Sequence, residues 1–578
     1  MTPTAQFKAL THDKRLELLD AETERFQSIG PLFRQRRNAY CIWCSFPPEV
    51  LCLVLEEMQS VSGWPVVPAL DRKDGRNLGW IAATHVCSVW RKVAIAAPTL
   101  WAEPDDLLAM SWTLMSAVIQ RSQRRPFNIS FFGDSHVTLG RLDARLPQCF
   151  APPMYDRLQE LSLEEFPLSA YERVASHLSA AFPNLRTLRV DLLLEEMDDV
   201  PELPSDMQLS ASLTKLVLIN CLPPRWSPSF FGLRLKHLTV RCPEQTPPTS
   251  LPSVLQLATV LMSLKSLEVL TLEDVFADRL LLEDCYPAII LPLSLRFCEL
   301  RASEHNACHR ACFEFLAHLV PPCNVELKVD IYDPYDISSF SSGVDLPTFS
   351  TLTSTAIQSV YGHLSPAKAL IVTDTAFLTH RNDTSESSLG HLMDTSHGVF
   401  SALIDNRESL ITLSFEAAGV QPLATSRLPM TLEHLASISL TARGLSIVYD
   451  NPAWWDAFET ARGVRRLSLC MDDCAAVLWL AERVMEQGEM GFPFFPNLDS
   501  ICITAQNVRI AKDPRHRPSF ESALRALEAV VKGRNTIGPC RVREVVVDQL
   551  LREWWAWDTF AIHAQVTFDG FLVLDRIV

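Results

Sequence analysis

Four soft ligands stand close together in the chain: His305, Cys308, His309 and Cys312 fall at i, i+3, i+4 and i+7. On a helix that spacing brings all four to one face, where they could hold a tetrahedral zinc ion. The neighbours Phe313, Phe315 and Leu316 instead suit a buried helix in which cysteine serves as a small apolar side chain. A core helix without metal is expected. Cys41-x-x-Cys44 lacks a second ligand pair nearby and gives no site either. No Gly-rich phosphate loop ending in Gly-Lys-Ser/Thr and no Gly-x-Ser-x-Gly elbow is present, and only 19 glycines serve the whole chain. The acidic pairs Glu195-Glu196 and Asp198-Asp199 read as solvated surface. Tryptophans at 454, 455, 554, 555 and 557 form two aromatic clusters. These could anchor an interface, but the core is the favoured place for residues so often buried. The expectation is a binding protein, not an enzyme, and with no cofactor.

Bulk properties narrow the partners. The 578 residues are 48% hydrophobic and 21% charged, an ordinary globular balance. With 52 basic and 68 acidic residues the net charge is −16, so the molecule repels phosphate backbones and nucleic acid is not expected as a partner. The short basic clusters Arg34, Arg36, Arg37 and Arg121, Arg124, Arg125 read as solvated helix faces. No window approaches the roughly 18 apolar residues of a membrane span, and the N-terminus has no signal-peptide pattern. The 16 cysteines are scattered through apolar segments, which fits reduced thiols and a cytoplasmic or nuclear location.

The elements come next. Residues 5–29 carry a helical pattern with Leu19 and Phe26 seven apart, and Gly30-Pro31 is expected to end it. Such a short heptad-like helix could pair with a partner, but packing on its own chain is the expected role. Ser45-Phe46-Pro47-Pro48-Glu49 places prolines where a helix begins, since the first turn needs no N–H from them. The helix that follows is amphipathic, with Val50, Leu51, Val54, Leu55 and Met58 on one face and Glu49, Glu56 and Glu57 off it. A Gly- and Pro-rich loop over about 60–78 precedes a second helical stretch from Gly79 to Ala94, in which Val86, Val89, Trp90, Val93 and Ala97 recur at helical spacing. Pro98 stops it, and Thr99-Leu100-Trp101 follows. Three short helices cannot bury both faces of themselves, so apolar surface remains for a partner.

Phe-Pro-Pro-Glu-Val-Leu at 46–51, Val-Cys-Ser-Val-Trp-Arg at 86–91 and Ala-Pro-Thr-Leu-Trp at 97–101 together resemble the F-box motif. Their order and composition are similar to the large F-box families of basidiomycete fungi. The match covers about a tenth of the chain. It departs from the family in having Phe46 where Leu is usual, and in the long loop between the first two helices.

Beyond residue 150 the frame Leu-x-x-Leu-x-Leu, with other aliphatics allowed, recurs. It begins at Leu158, Leu185, Leu213, Leu235 and Leu267, and again at Leu410, Leu435, Val464, Leu498 and Val542. The early frames follow one another at roughly 22 to 32 residues, close to the period of leucine-rich repeats. Phe-Pro-Asn-Leu appears at both 182–185 and 495–498. These units resemble degenerate leucine-rich repeats, each expected to supply one strand to a parallel sheet. Only Leu213 to Cys221 also shows the Asn/Cys that closes the motif. Between about 331 and 400 the composition turns to Ser, Thr, Asp and Gly, as in Ser338–Gly343 and Asn382–Ser388, and loop insertions are expected.

The expected organisation is an N-terminal helical segment (1–44), an F-box (45–103), a linker or capping region (104–157) and a repeat domain (158–578). The fold class is α/β: a short three-helix F-box followed by an irregular leucine-rich-repeat-like solenoid with a parallel concave sheet. The resemblance implies a substrate-recognition adaptor that binds a Skp-type adaptor, and through it a cullin ubiquitin ligase, while the repeats hold an unknown substrate protein. The residues expected to contact the Skp-type adaptor are Phe46, Pro47, Pro48, Val50, Leu51, Leu55, Val89, Trp90, Leu100 and Trp101, some of which must also hold the small domain together. The competing expectation is a repeat scaffold outside any ligase, with the F-box region as a polar-surfaced helical cap.

Overall fold

The computed structural model describes residues 11–40, 42–44, 46–64, 78–104, 107–108, 110–133, 139–179, 182–195, 198–207, 209–243, 246–247, 249–276, 288–302, 308–332, 355–356, 358–364, 366–372, 376–380, 409–416, 432–450, 452–486, 492–505, 517–537, 541–554 and 556–569. The chain forms two compact units, residues 1–196 with 206–213 and residues 197–205 with 214–578.

The first unit opens with a long helix, α1 (His12–Ala39), which runs straight through Pro31. Gly30-Pro31 therefore does not end it. Proline removes one N–H and crowds the carbonyl four residues back, but an exposed helix can leave that carbonyl to water and bend. Then come α2 (Pro48–Ser62), a 3-10 stretch (Gly79–His85), α3 (Ser88–Ala96), a 3-10 turn (Pro98–Trp101) and α4 (Trp112–Arg121). The single helical stretch expected over 79–94 is thus broken in two. Cys87 is fully extended at the break, and Thr84 Oγ1 donates to the Ile81 carbonyl at 2.7 Å, a local bond that competes with helix continuation.

Strands β1 (Phe127–Phe132), β2 (Leu158–Pro167) and β3 (Thr187–Leu193) follow, pairing in parallel with Ile129 beside Leu161 and Leu161 beside Leu188. Helices α5 (Leu139–Cys149), α6 (Pro152–Tyr155) and α7 (Leu168–Leu178) lie between them in the chain. The region expected as a linker or cap, 104–157, therefore carries the first strand. Chain from the helical segment runs along its outer edge: Asn128 N–H donates to the Ala102 carbonyl at 3.2 Å, and Leu107 N–H to the Ser130 carbonyl at 3.4 Å. An edge that would otherwise offer unpaired backbone groups is covered.

The second unit is also mixed α/β. Its strands are β4 (Lys215–Ile219), β5 (His237–Arg241), β6 (Val269–Glu273), β7 (Ile289–Ile290), β8 (Phe297–Ala302), β9 (Leu319–Val320), β10 (Glu326–Tyr332), β11 (Ala369–Val372), β12 (Ala376–His380), β13 (Ser409–Glu416), β14 (Ser437–Leu440), β15 (Arg466–Cys470), β16 (Ser500–Thr504), β17 (Glu544–Asp548) and β18 (Gln565–Asp569). Neighbours β4, β5, β6, β8, β10 and β13 pair in parallel. β12 then runs antiparallel to both β13 and β11, after which β11, β14, β15, β16, β17 and β18 are parallel again. β7 and β9 form a separate short pair. Helices α8 (Pro228–Phe231), α9 (Val254–Ser263), α10 (Cys308–Ala317), α11 (Ala442–Asp450), α12 (Pro452–Thr460), α13 (Cys474–Met485), α14 (Arg517–Ile537) and α15 (Trp557–Phe560) fall between strands. Strands β11 and β12 lie inside the 331–400 stretch expected as insertions, while Ser338–Gly343 and Asn382–Ser388 lie outside the described residues.

Every one of the ten aliphatic frames coincides with a strand. Their leucines and valines are buried wherever their side chains are described, as with Leu216, Leu238, Leu270 and Val545, all at 0% exposure. The shared Phe-Pro-Asn-Leu has a mechanical role. Asn184 Nδ2 donates to the Asp156 carbonyl at 2.7 Å and Asn497 Nδ2 to the Arg462 carbonyl at 2.8 Å. Ser294 Oγ makes the equivalent bond to Lys265 at 3.0 Å. In each case the residue just before a frame, or for Ser294 just before the buried Leu295 that leads into β8, ties down the carbonyl two residues before the preceding frame, so successive strands are clamped at their starts.

Candidate functional site

The residues quoted for the F-box resemblance build a small helical core with an apolar exterior. Pro48 is the first residue of α2, and Pro47 precedes it. Leu51 and Leu55, one turn apart, are completely enclosed. On α3 the same spacing buries Trp90 and Ala94, and the 3-10 turn contributes Leu100 and Trp101. Trp101 sits in a cluster of three indoles, 5.0 Å from Trp80 and 6.2 Å from Trp64, all near edge-to-face, the arrangement the ring quadrupole favours. Its Nε1 donates to the Ala94 carbonyl at 2.7 Å, Trp64 Nε1 donates to Glu103 at 2.9 Å, and the Arg121 guanidinium lies 4.6 Å from the Trp101 ring.

Two contacts close this core from the front. Trp90 Nε1 donates to the Trp43 carbonyl at 2.9 Å, and the Cys44 and Cys87 sulfurs are 3.5 Å apart. The segment before α2 is thereby fastened to α3. Trp43 in turn meets Phe46 edge-on at 5.6 Å.

Most of the loop expected over about 60–78, residues 65–77, lies outside the described residues, but the chain on either side of it meets at a narrow neck. Gly63 and Gly79 both have positive φ, 64° and 50°, and Trp80 N–H donates to the Gly63 carbonyl at 3.0 Å. A Cβ on Gly79 would come within 2.4 Å of that carbonyl oxygen, so only glycine fits there.

The ten expected contact residues separate into two groups. Leu51, Leu55, Trp90, Leu100 and Trp101 are buried in the segment's own core. Pro47, Pro48, Val50 and Val89 are exposed and Phe46 is half-buried. Alongside them are exposed apolar side chains that the ten omit: Leu53 at 65%, Val61 at 78%, Val86 at 56% and Trp43 at 61%. Heptad counting assigned α2 a single apolar face. Leu53 falls off that face, whereas Val61 lies on it, seven residues after Val54, yet is exposed near the end of the helix.

Other sequence candidates fall elsewhere. Cys312 is buried on α10, whereas His305 and Cys41 lie outside the described residues. Among the described residues no group of three or more His, Cys, Asp or Glu side chains could hold a metal ion, and no helix is long and apolar enough to cross a membrane. Trp454 and Trp557 are core residues, at 1% and 3% exposure, and Trp557 Nε1 donates to the Leu551 carbonyl at 2.7 Å.

The second unit carries one dense ionic array. Arg241, Glu273, Arg301 and Asp330 occupy paired positions on β5, β6, β8 and β10. Arg241 meets Glu273 at 3.1 Å and Arg301 meets Asp330 at 3.3 Å. One row inward, Glu299 receives Arg301 at 2.8 Å and Lys328 at 2.9 Å, and Lys328 also reaches Asp330 at 3.0 Å. Burial alone would raise Glu299, but Arg301 and Lys328 outweigh it and hold this carboxyl below the usual range. Burial prevails at Glu273 and Asp330 and pushes both up.

The chain matches no protein-family model and no curated protein.

Proposed function

We propose that this chain is the substrate-recognition adaptor of a Skp–cullin–F-box ubiquitin ligase, with residues 45–103 as an F-box that docks on a Skp-type adaptor. Residues 158–578 form an irregular leucine-rich-repeat-like array that holds a target protein. Catalysis belongs to the ligase partners, and this chain supplies proximity, raising the effective concentration of the target's lysines at the ubiquitin thioester.

The observation that carries the reading is the division within the motif. Half of its apolar residues form a self-sufficient core, while Pro47, Pro48, Val50 and Val89, with Leu53 and Val86 nearby in sequence, remain outside. A cap serving only its own repeats would show a polar exterior, so these side chains speak for a partner.

The test is co-purification of the full chain with a Skp-type adaptor, against the double variant Val50→Asp/Val89→Asp. Both sites are exposed, so the fold survives, as the thermal midpoint should show. Desolvating two carboxylates at an apolar interface should weaken adaptor binding at least about 100-fold. Adaptor capture unchanged by the double variant, or no capture by the parent chain, sinks the proposal.

A further inference from the structure

Helix α1 is 28 residues long, roughly 42 Å at the usual rise, and its apolar side chains stand in the open. Phe26 is 74% exposed, Phe33 69%, Leu32 63% and Tyr40 84%. Packing on the rest of the chain, expected for this segment, is not seen among the described residues. So much exposed aromatic surface on one helix calls for a cover.

The order of residues along the stripe says what the cover is. With Ile29 as centre, positions three, four, seven and eleven residues away on either side all fall within about 60° of it on the helix. At three stand Phe26 and Leu32, at four Arg25 and Phe33, at seven Glu22 and Arg36, and at eleven Leu18 and Tyr40. Each pair is complementary: apolar with apolar, guanidinium with aromatic ring, carboxylate with guanidinium, apolar with apolar. A helix laid antiparallel on its own copy, crossing at Ile29, brings these members face to face twice over.

We infer that α1 is a self-association helix, pairing antiparallel with α1 of a second copy of this chain. Charge along the helix agrees. Residues 12–24 carry a net −3 and residues 25–39 a net +4, so the antiparallel arrangement sets acidic half against basic half. A parallel pair would oppose Glu22 to Glu22 and Arg36 to Arg36 across the seam. Three exposed aromatics, each able to bury on the order of 150–250 Å², with Leu18, Ile29 and Leu32 bring the contact near the roughly 800 Å² per partner of a specific interface. The inference rests on α1 alone and stands or falls apart from adaptor binding.

Sedimentation velocity of the full chain over a concentration series tests it. The parent should sediment as a dimer of the 65.0 kDa chain, and Ile29→Asp should reduce it to monomer. Glu22→Arg and Arg36→Glu should each weaken dimerisation about tenfold or more, and the double exchange Glu22→Arg/Arg36→Glu should restore it. In a parallel pair neither single reversal would weaken it. All three positions are exposed, so an unchanged thermal midpoint separates lost pairing from lost folding. A parent chain that stays monomeric, single reversals without effect, or a double exchange that fails to recover would overturn the assignment.

Discussion

Strands β5, β6, β8 and β10 and strands β14 to β17 bury equivalent core positions in register and differ in the charge of what stands beside them. After the last core position, the first group carries Arg241, Glu273, Arg301 and Asp330, and the second Thr441, Cys470, Thr504 and Asp548. Between the last two core positions the first group has Thr239, Thr271, Glu299 and Lys328, and the second Ser439, Ser468, Cys502 and Val546. The charged side chains at the end of β8 and β10 keep contact with solvent, Arg301 at 34% and Asp330 at 27% of the side chain. Their counterparts are enclosed, with Cys470 at 0%, Thr504 at 4% and Asp548 at 2%. The core positions decide that a strand forms; the residues beside them decide what kind of surface it presents.

The difference is broken most sharply at Lys328. It is the most enclosed charge of the array, 8% exposed and shared between Glu299 and Asp330. Lys328→Met leaves both carboxylates short of a partner in a low-dielectric setting, and the expected cost is about 3–5 kcal/mol of stability in denaturant unfolding. A loss under about 1 kcal/mol would mean that the array is screened like an ordinary surface.

Acid should sharpen the same contrast. Glu299, held below its ordinary value of 4.5, contributes stability that is present above that value and is lost as pH falls through its depressed pKa. Glu273 and Asp330 are raised, so for them the folded state binds protons first, and acidification through their raised range favours folding. A pH series of unfolding free energies should therefore stay level or rise slightly on going from neutral toward mild acid, and fall only below about 4.5. Glu299→Gln should flatten that lower limb and leave the upper one. A steady loss from pH 7 that the variant does not alter would contradict these opposed signs. The smallest effect is expected in the enclosed group, where Ser468→Ala removes one small hydroxyl at about 1 kcal/mol or less.

The parts legible in the sequence and the parts that were not differ for physical reasons. The ten frames all became strands because a parallel strand buried along one face needs its aliphatics at fixed spacing. The strands that escaped lack one of them. By register the position of Leu267 on β6 falls to Asn324 before β10, that of Leu435 on β14 to Ala367 before β11, and that of Val542 on β17 to His563 before β18. β8 has Cys298 where an aliphatic was sought, although a buried thiol packs as one. The antiparallel β12 was invisible because pairing direction leaves no mark on composition. Pro31 misled for the opposite reason: the rule that proline ends helices is strong in a packed interior and weak on a helix open to water. Within the F-box-like segment the motif residues were legible, but their division into core and surface was not. One expected apolar face holds both Val50 and Leu51, and only the folded packing, which leaves Val50 39% exposed and Leu51 at 0%, tells which is inside.

The glycine neck of the helical segment has a consequence in polymer terms. Gly63 and Gly79 meet backbone to backbone, so the ends of the intervening chain are fixed by contacts that do not depend on its length. The entropy of closing such a loop grows only logarithmically, about 0.6 kcal/mol for each doubling. The position can therefore absorb insertions or be rewritten at little thermodynamic cost. That makes it a natural place to splice in a tag or a reporter domain without disturbing the helices on either side.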